Sequence, residues 1–287
     1  MKLKFFMKKK ESPHEGPVLW GPGGGEVIPE TPSTTEVTHM FNIPIRPEGL
    51  PGKGMIWTVQ SSTTVATNLA AVLAAGNPER VVLVDMDGIG SVRSRMGLKE
   101  SLETILDWQD VRDARDLQRV LINHTSGVLV VPGVMHYDHI SLVDAGLVFN
   151  MLTILKERFD HIVLDCPPVG MNNNTWAAAL VSNIVALIIK PERTNLDFIK
   201  DNLVFLKRLG CEARTCVILN HAGAPGSIKA TDLIGNKQLG LDIHHTLPYS
   251  VSVAEASNRR EMVVLTKPRD EFSAALKKLV EKLEGGM

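Results

Sequence analysis

The sequence predicts an α/β fold, a doubly wound and mostly parallel sheet with helices on both faces. Short, nearly continuous apolar runs rich in β-branched residues recur from Met55 onward. Runs without polar alternation suit strands buried on both faces, as a parallel sheet requires. Between the runs lie stretches with helical spacing of apolar residues, and strand–helix–strand repetition implies right-handed crossovers that layer helices over the sheet.

The elements follow in order. MIWTVQ (55–60) is the first strand, and the Ala/Leu-rich segment 63–75 reads as the helix after it. VVLVD (81–85), GVLVVP (127–132), HIVLD (161–165), NIVALII (183–189) and TCVIL (215–219) are the next strands. Helical spacing covers 141–157, 195–209 and 270–284. No internal repeat is present, and residues 55–287 form one α/β domain of ordinary size.

Residues 1–54 differ in kind. They hold 8 of the 16 prolines and the run GPGGGEVIPETPSTTE, and so read as a disordered basic, Pro/Gly-rich tail that cannot offset its ordering entropy by burial. GPGGG follows no strand and opens no helix, so it is not a phosphate loop. PGKG (51–54) precedes the first strand, on the wrong side for one.

With 44% hydrophobic and 22% charged residues, the chain can bury a sizeable core. A net charge of −1 exerts no global pull toward nucleic acid or anionic lipid. Three cysteines are too few for a disulfide framework, which suggests a reducing cytoplasm. No apolar run approaches the roughly 18 residues of a membrane span. MKLKFFMKKK has too short an apolar stretch for a secretory signal. Its five lysines around Phe5, Phe6 and Met7 make residues 1–10 either a weak lipid contact or a solubilising tail.

In such a sheet, ligands bind at the carboxyl ends of the strands. Asp85 and Asp87 follow one strand, Asp165 with Cys166, Pro167 and Pro168 another, and Asn220 a third. Carboxylates gathered at strand tips repel one another, and a Mg²⁺ shared with waters and phosphate oxygens is the natural compensation. The competing reading is that each Asp caps its own loop.

The ordered set VVLVDMDG, HIVLDCPP, VILN and LPYSVSVAEASNRREMVV resembles the MinD/ParA superfamily of deviant-Walker ATPases over Met55 to Leu283. Within it the likeness is nearest to the CpaE/TadZ branch of pilus-assembly and localisation proteins. The resemblance implies a P-loop NTPase fold of the SIMIBI type. It places Asp165 at the Walker B aspartate, which holds Mg²⁺ through water. It places Asp85 and Asp87 at the acidic pair, the latter positioning the attacking water. Asn220 takes the position that reads the adenine edge, and the loop from Pro248 to Ala254 the one that flanks the base. Thr63 takes the Mg²⁺-ligating hydroxyl.

One segment departs from that pattern. The family writes Lys-Gly-Gly-x-Gly-Lys-[Thr/Ser] between strand and helix, whereas this chain writes QSST, about five residues shorter, with Ser62 at the lysine. The glycines that let backbone N–H groups curl around phosphates are missing, as are both signature lysines. Phosphoryl transfer depends on positioning and charge, so efficient hydrolysis is not expected and Asp87 is vestigial. The helix terminus at Ser62, Thr63 and Thr64 retains weak anion affinity, so ATP or ADP with Mg²⁺ is expected to bind weakly or not at all.

The resemblance then implies a cytoplasmic scaffold or positioning protein, homodimeric, at the inner face of the membrane. Its partners would be pilus, secretion or polar-localisation proteins. The alternative is a working MinD/ParA-class ATPase for cell positioning or plasmid partition, using a non-standard loop and a lysine such as Lys53. Nucleic acid is not an expected partner, because residues 55–287 hold no concentrated Lys/Arg run.

Three smaller signals read blandly. HYDH (136–139) and His244–His245 are solvated loop histidines rather than a metal site. Cys166 is a buried, inert thiol. The last helix turns Phe272, Leu276, Leu279, Val280 and Leu283 to one side, a core face rather than a membrane face.

Overall fold

The computed structural model describes residues 50–86, 91–98, 102–113, 115–168, 173–236 and 241–285. β1 (Met55–Gln60) runs into α1 (Thr63–Ala74), and β2 (Val81–Asp85) is followed by α2 (Ser91–Met96). A short β3 (Ile122–Asn123) and β4 (Val128–Val131) precede α3 (Ala145–Arg158). β5 (His161–Cys166) leads to α4 (Asn173–Val181), and β6 (Ile184–Ile189) to α5 (Arg193–Arg208). β7 (Thr215–Ala222) leads to α6 (Ala230–Leu233). After β8 (His245–Pro248) come α7 (Val251–Asn258), α8 (Val263–Thr266) and α9 (Glu271–Glu284).

The strands form an eight-stranded sheet in the order β3-β4-β2-β5-β1-β6-β7-β8, parallel except for β3. The chain winds to one side of β1 through β2 and β4 and to the other through β6 to β8. The carboxyl ends near β1 are therefore the topological switch point, where crevices open in such folds.

Because strand side chains alternate, each strand supplies two cores. Ile56, Val84, Ile162, Leu164 and Leu187 pack with Leu152, Leu155 and Ala178 of α3 and α4. Trp57, Val59, Leu83, Val163 and Ile218 pack with Leu69 and Ala70 of α1 and with Leu276 of α9. The small side chains of α1 bring it close to the sheet and α9. Its one buried amide is fully used: Asn68 Nδ2 donates to Thr64 O (2.8 Å) and Oδ1 accepts from Val264 N (3.2 Å).

The six predicted strands are present and the doubly wound class holds. Four details differ. The stretch 141–157 becomes helical only at Ala145, because the Asp144 carboxylate accepts from Leu147 N (2.8 Å) and caps the helix there. Tyr137–Leu142 instead forms a 3₁₀ segment. β3 has two residues and β8 ends on a proline, so neither leaves a recognisable apolar run. Residues 50–54, grouped with the tail by composition, pack on the end of α3. Leu50 is buried, Gly54 N donates to Lys156 O (3.0 Å), and a Cβ at Gly54 would lie 2.5 Å from Phe159 O. The terminal helix docks its apolar face in the second core, and no described helix is long and apolar enough to cross a membrane.

Half-buried histidines give a pH prediction. Burial holds His124, His161, His221 and His245 below the ordinary value, about 6.5. In His161 the nearby Glu284 and Asp160 partly oppose that shift. The unfolded chain therefore takes up these protons at higher pH than the folded one, so stability falls as pH drops through the unfolded value toward the folded values. Urea midpoints at pH 7.5 and 5.5 check this. The midpoint is expected to be lower at 5.5, and an equal or higher one contradicts it.

Candidate functional site

The β1–α1 connection is two residues, Ser61 and Ser62. Ser61 sits at φ 71°, in the left-handed region that favours glycine, and its N–H donates to Cys166 O (3.0 Å). Ser62 caps α1, its Oγ accepting from Val65 N (3.3 Å). Gln60, fully buried at the tip of β1, has neither its amide nitrogen nor its amide oxygen hydrogen-bonded. An unsatisfied buried group costs about 1–3 kcal/mol, so it marks a place where a partner group is missing.

Asp85 and Asp165 lie side by side, paired in register across β2 and β5, and each is 1% exposed. Asp85 Oδ2 accepts from Val92 N (3.1 Å) at the start of α2. Gly133 makes room for that carboxylate, since a Cβ there would lie 2.9 Å from Asp85 Cγ. Asp165 Oδ2 accepts from Ser91 Oγ (3.4 Å), which in turn accepts from Thr63 Oγ1 (3.2 Å). A hydroxyl relay thus joins α1, α2 and β5 between the two positions assigned by resemblance to Mg²⁺.

Beside this relay a cavity of about 200 Å³ opens between the first turn of α1, α2 and the ends of β7 and β8. Thr64, Arg95, Asn220, His221, Pro248 and Tyr249 are in its wall, with Phe272 of α9 beneath. Asn220 is buried, and its Oδ1 accepts from His221 N (2.9 Å). That bond is set by the φ of 60° at His221, which turns its backbone at the end of β7. The His221 and Tyr249 rings meet edge to face at 6.0 Å. Burial lowers the pKa of the half-buried Arg95, and attraction to Asp165 partly restores it.

The structure thus brings Ser62, Thr63, Thr64, Asp85, Asp165, Asn220 and Pro248 to one edge of the sheet. Asn220 lies within β7 rather than after it. Asp87 lies outside the described residues. Ser91, Arg95, Gly133 and His221 were not singled out by sequence reasoning. The Ser/Arg alternation of SVRSRM looks like a solvated face, and only the packing of α2 beside α1 brings Ser91 and Arg95 inward.

His244 and His245 are not the solvated loop histidines expected from the sequence: β8 pairs with β7 beside α9, so His245 is a half-buried strand residue with Nε2 2.9 Å from Ala275 O, and His244 Nδ1 accepts from Val217 N (3.2 Å). His136 is exposed, its ring 5.4 Å from His139, and among the described residues no cluster suited to a metal occurs. Cys166, Cys211 and Cys216 are buried and form no disulfide among the described residues, and burial pushes Cys216 up to about 11.

Comparison with known proteins agrees with the fold. The AAA domain family matches residues 60–215, more than half of the chain. The chromosome partitioning protein ParA of Myxococcus xanthus is 31% identical over 134 residues, 44% of this chain and 47% of that protein. The septum site-determining protein MinD of Synechocystis is 22% identical over 82% of this chain and 87% of its own length. Among solved structures, MinD of Pyrococcus horikoshii complexed with Mg-ADP superposes with a TM-score of 0.67 at 22% identity, covering 80% of this chain and 96% of that one. The chain belongs to the AAA domain family and, through it, to the MinD/ParA superfamily of P-loop ATPases.

Proposed function

We propose that this chain is a MinD/ParA-fold scaffold or positioning protein that hydrolyses ATP poorly or not at all and serves pilus assembly or secretion. The observation that carries the reading is the two-residue turn between β1 and α1. A triphosphate needs a loop long enough to surround it with backbone N–H groups, and a lysine to reach its β- and γ-phosphates. Ser61 and Ser62 offer neither, and the Ser62 side chain is spent on capping its own helix. The unpartnered Gln60 amide at the tip of β1 supports the reading, because a longer loop would bring backbone groups to satisfy it.

The residues present do not fit a Mg²⁺–triphosphate. The turn offers neither the loop nor the lysine, and Ser91 bridges Thr63 and Asp165, so an ion between those two would have to displace that bridge. Asp85 and Asp165 keep the family's positions as structural acids, and Asp87 is vestigial. The chain would be cytoplasmic and pair with a second copy, its basic first ten residues adding a weak contact with anionic lipid.

Calorimetric titration of the full chain with ATP and with ADP, each with Mg²⁺, tests the reading. The expected result for both is no saturable heat in the micromolar range. Steady ATP turnover that disappears in Asp165→Ala would replace the scaffold by a working ATPase. Such an enzyme could not draw its cation from Lys53. That residue precedes β1, and a strand of this length puts it about 20 Å from the carboxyl edge.

A further inference from the structure

At the amino ends of the strands, away from the site at their tips, one imidazole joins three elements. His161 opens β5, in register with Met55 of β1 on one side and Val81 of β2 on the other. Its Nδ1 accepts from the indole Nε1 of the fully buried Trp57 (3.2 Å). Its Nε2 lies 3.4 Å from Oε1 of Glu284, the last residue of α9. The charged groups that act on the ring are Glu284 from α9 and Asp160 from the connection before β5. Asp160 is already engaged by Arg80, the residue before β2, through two hydrogen bonds (2.6 and 3.1 Å). Arg80 O in turn accepts from His161 N (3.3 Å). The imidazole is 17% exposed, so a proton reaches it from solvent without unfolding the sheet.

A neutral imidazole has one donor and one acceptor nitrogen, whereas an imidazolium has two donors and no acceptor. The neutral ring satisfies both neighbours at once, because Nδ1 takes the indole N–H and Nε2–H faces the carboxylate. A proton can enter only at Nδ1, where the Trp57 N–H already points. Two N–H groups then meet head-on and that bond breaks, while the contact with Glu284 becomes an ion pair. We infer that His161 is a proton-driven switch: neutral, it holds Trp57 of β1, and on taking up a proton at Nδ1 it releases the indole and closes on Glu284 of α9. The ring thereby passes from the central strand to the terminal helix. The indole left unpartnered in the core opposes the proton, and the Glu284 carboxylate favours it. Burial outweighs both carboxylates in the folded protein, so the exchange occurs in mild acid, below the ordinary histidine value of about 6.5.

Nuclear magnetic resonance of the ¹⁵N-labelled full chain between pH 8 and pH 5 tests this. The Trp57 indole N–H signal is identified by its absence in Trp57→Phe, and the His161 ring nitrogens by their absence in His161→Gln. The indole signal is expected to shift in one step whose midpoint coincides with the His161 titration, with Nδ1 bare above the step and protonated below it. In His161→Gln that step should vanish. Glu284→Gln should lower the shared midpoint by about 0.3–0.7 pH unit, the range for a partly exposed ion pair. Trp57→Phe should raise the His161 midpoint, because only the neutral ring loses a bond. An indole signal that stays still while His161 titrates, or moves at another midpoint, overturns the switch. An unchanged midpoint in Glu284→Gln overturns it equally. If Trp57→Phe is too unstable to titrate, the unaltered chain and Glu284→Gln decide the matter.

Discussion

Replacing Trp57 with alanine is expected to lower the unfolding free energy by about 3–5 kcal/mol, the range for deleting a large aromatic from a packed core. Trp57 is fully buried on β1, the strand between β5 and β6, and packs beneath α1. Its indole Nε1 donates to His161 Nδ1 (3.2 Å), which places the imidazole proton on Nε2, facing Glu284 at 3.4 Å. One side chain therefore links the central strand, its neighbour and the last helix. The loss is large beside a total of about 5–15 kcal/mol for a typical domain. Trp57→Phe keeps part of the apolar area but removes the donor and leaves a smaller ring, so a loss of about 1–3 kcal/mol, below that of the alanine variant, is expected there. Urea unfolding followed by far-ultraviolet circular dichroism measures both. A loss below 1 kcal/mol for the alanine variant would mean that the centre of the sheet is not packed as described.

Leu276→Ala is expected to cost about 2–5 kcal/mol. Leu276 is fully buried at the middle of the inward face of α9, with Phe272, Leu279, Val280 and Leu283. The helix is pinned at both ends and from the side. Asp270 caps it by accepting from Phe272 N (3.0 Å) and also accepts from Ser250 Oγ (2.8 Å). Lys282 Nζ donates to His244 O (3.0 Å). Lys277→Ala, on the exposed face, is expected to change stability by less than about 0.5 kcal/mol. A terminal helix that had evolved to lie on a membrane would show little difference between the two variants in water, so the ratio distinguishes docking from membrane anchoring. Equal, small effects would mean that α9 contributes nothing to the core.

Beside the two-residue turn between β1 and α1 the site has an electrostatic balance of its own. Two buried carboxylates at the strand tips remain, and such a pair is costly unless hydrogen bonds and cations compensate it. Here Val92 N serves Asp85, Ser91 Oγ serves Asp165, and the charge of Arg95 acts on Asp165. These contacts all come from α2, the helix that follows the acidic strand, which therefore helps compensate both carboxylates. The strained backbone at Ser61 and at His221 lies at the same edge. Strain of this kind gathers at functional sites, where surrounding contacts over-determine it.

Much of the site was legible because its residues directly follow long apolar runs. Asp85 after VVLV and Asp165 after HIVL were legible as strand-tip acids, and the sheet sets them in register on neighbouring strands. The brevity of the β1–α1 turn was legible too, since no packing can add residues to QSST. Ser91 and Arg95 were not, because a six-residue helix with two arginines has no periodic face to read. The start of α3 was misplaced because 141–144 continues its apolar spacing, and only the Asp144 hydrogen bond ends the ambiguity.

Strand-forming runs buried on both faces, and the helices between them, are local patterns, so the sequence alone determined the α/β class, the order of the elements and the absence of a glycine–lysine loop. Strand order, the face α9 presents to the sheet, and the meeting of Arg95 and Asn220 in one cavity wall depend on contacts between segments far apart in the chain. Those are decided by packing, because burial and pairing are satisfied jointly across the whole sheet rather than within any one stretch.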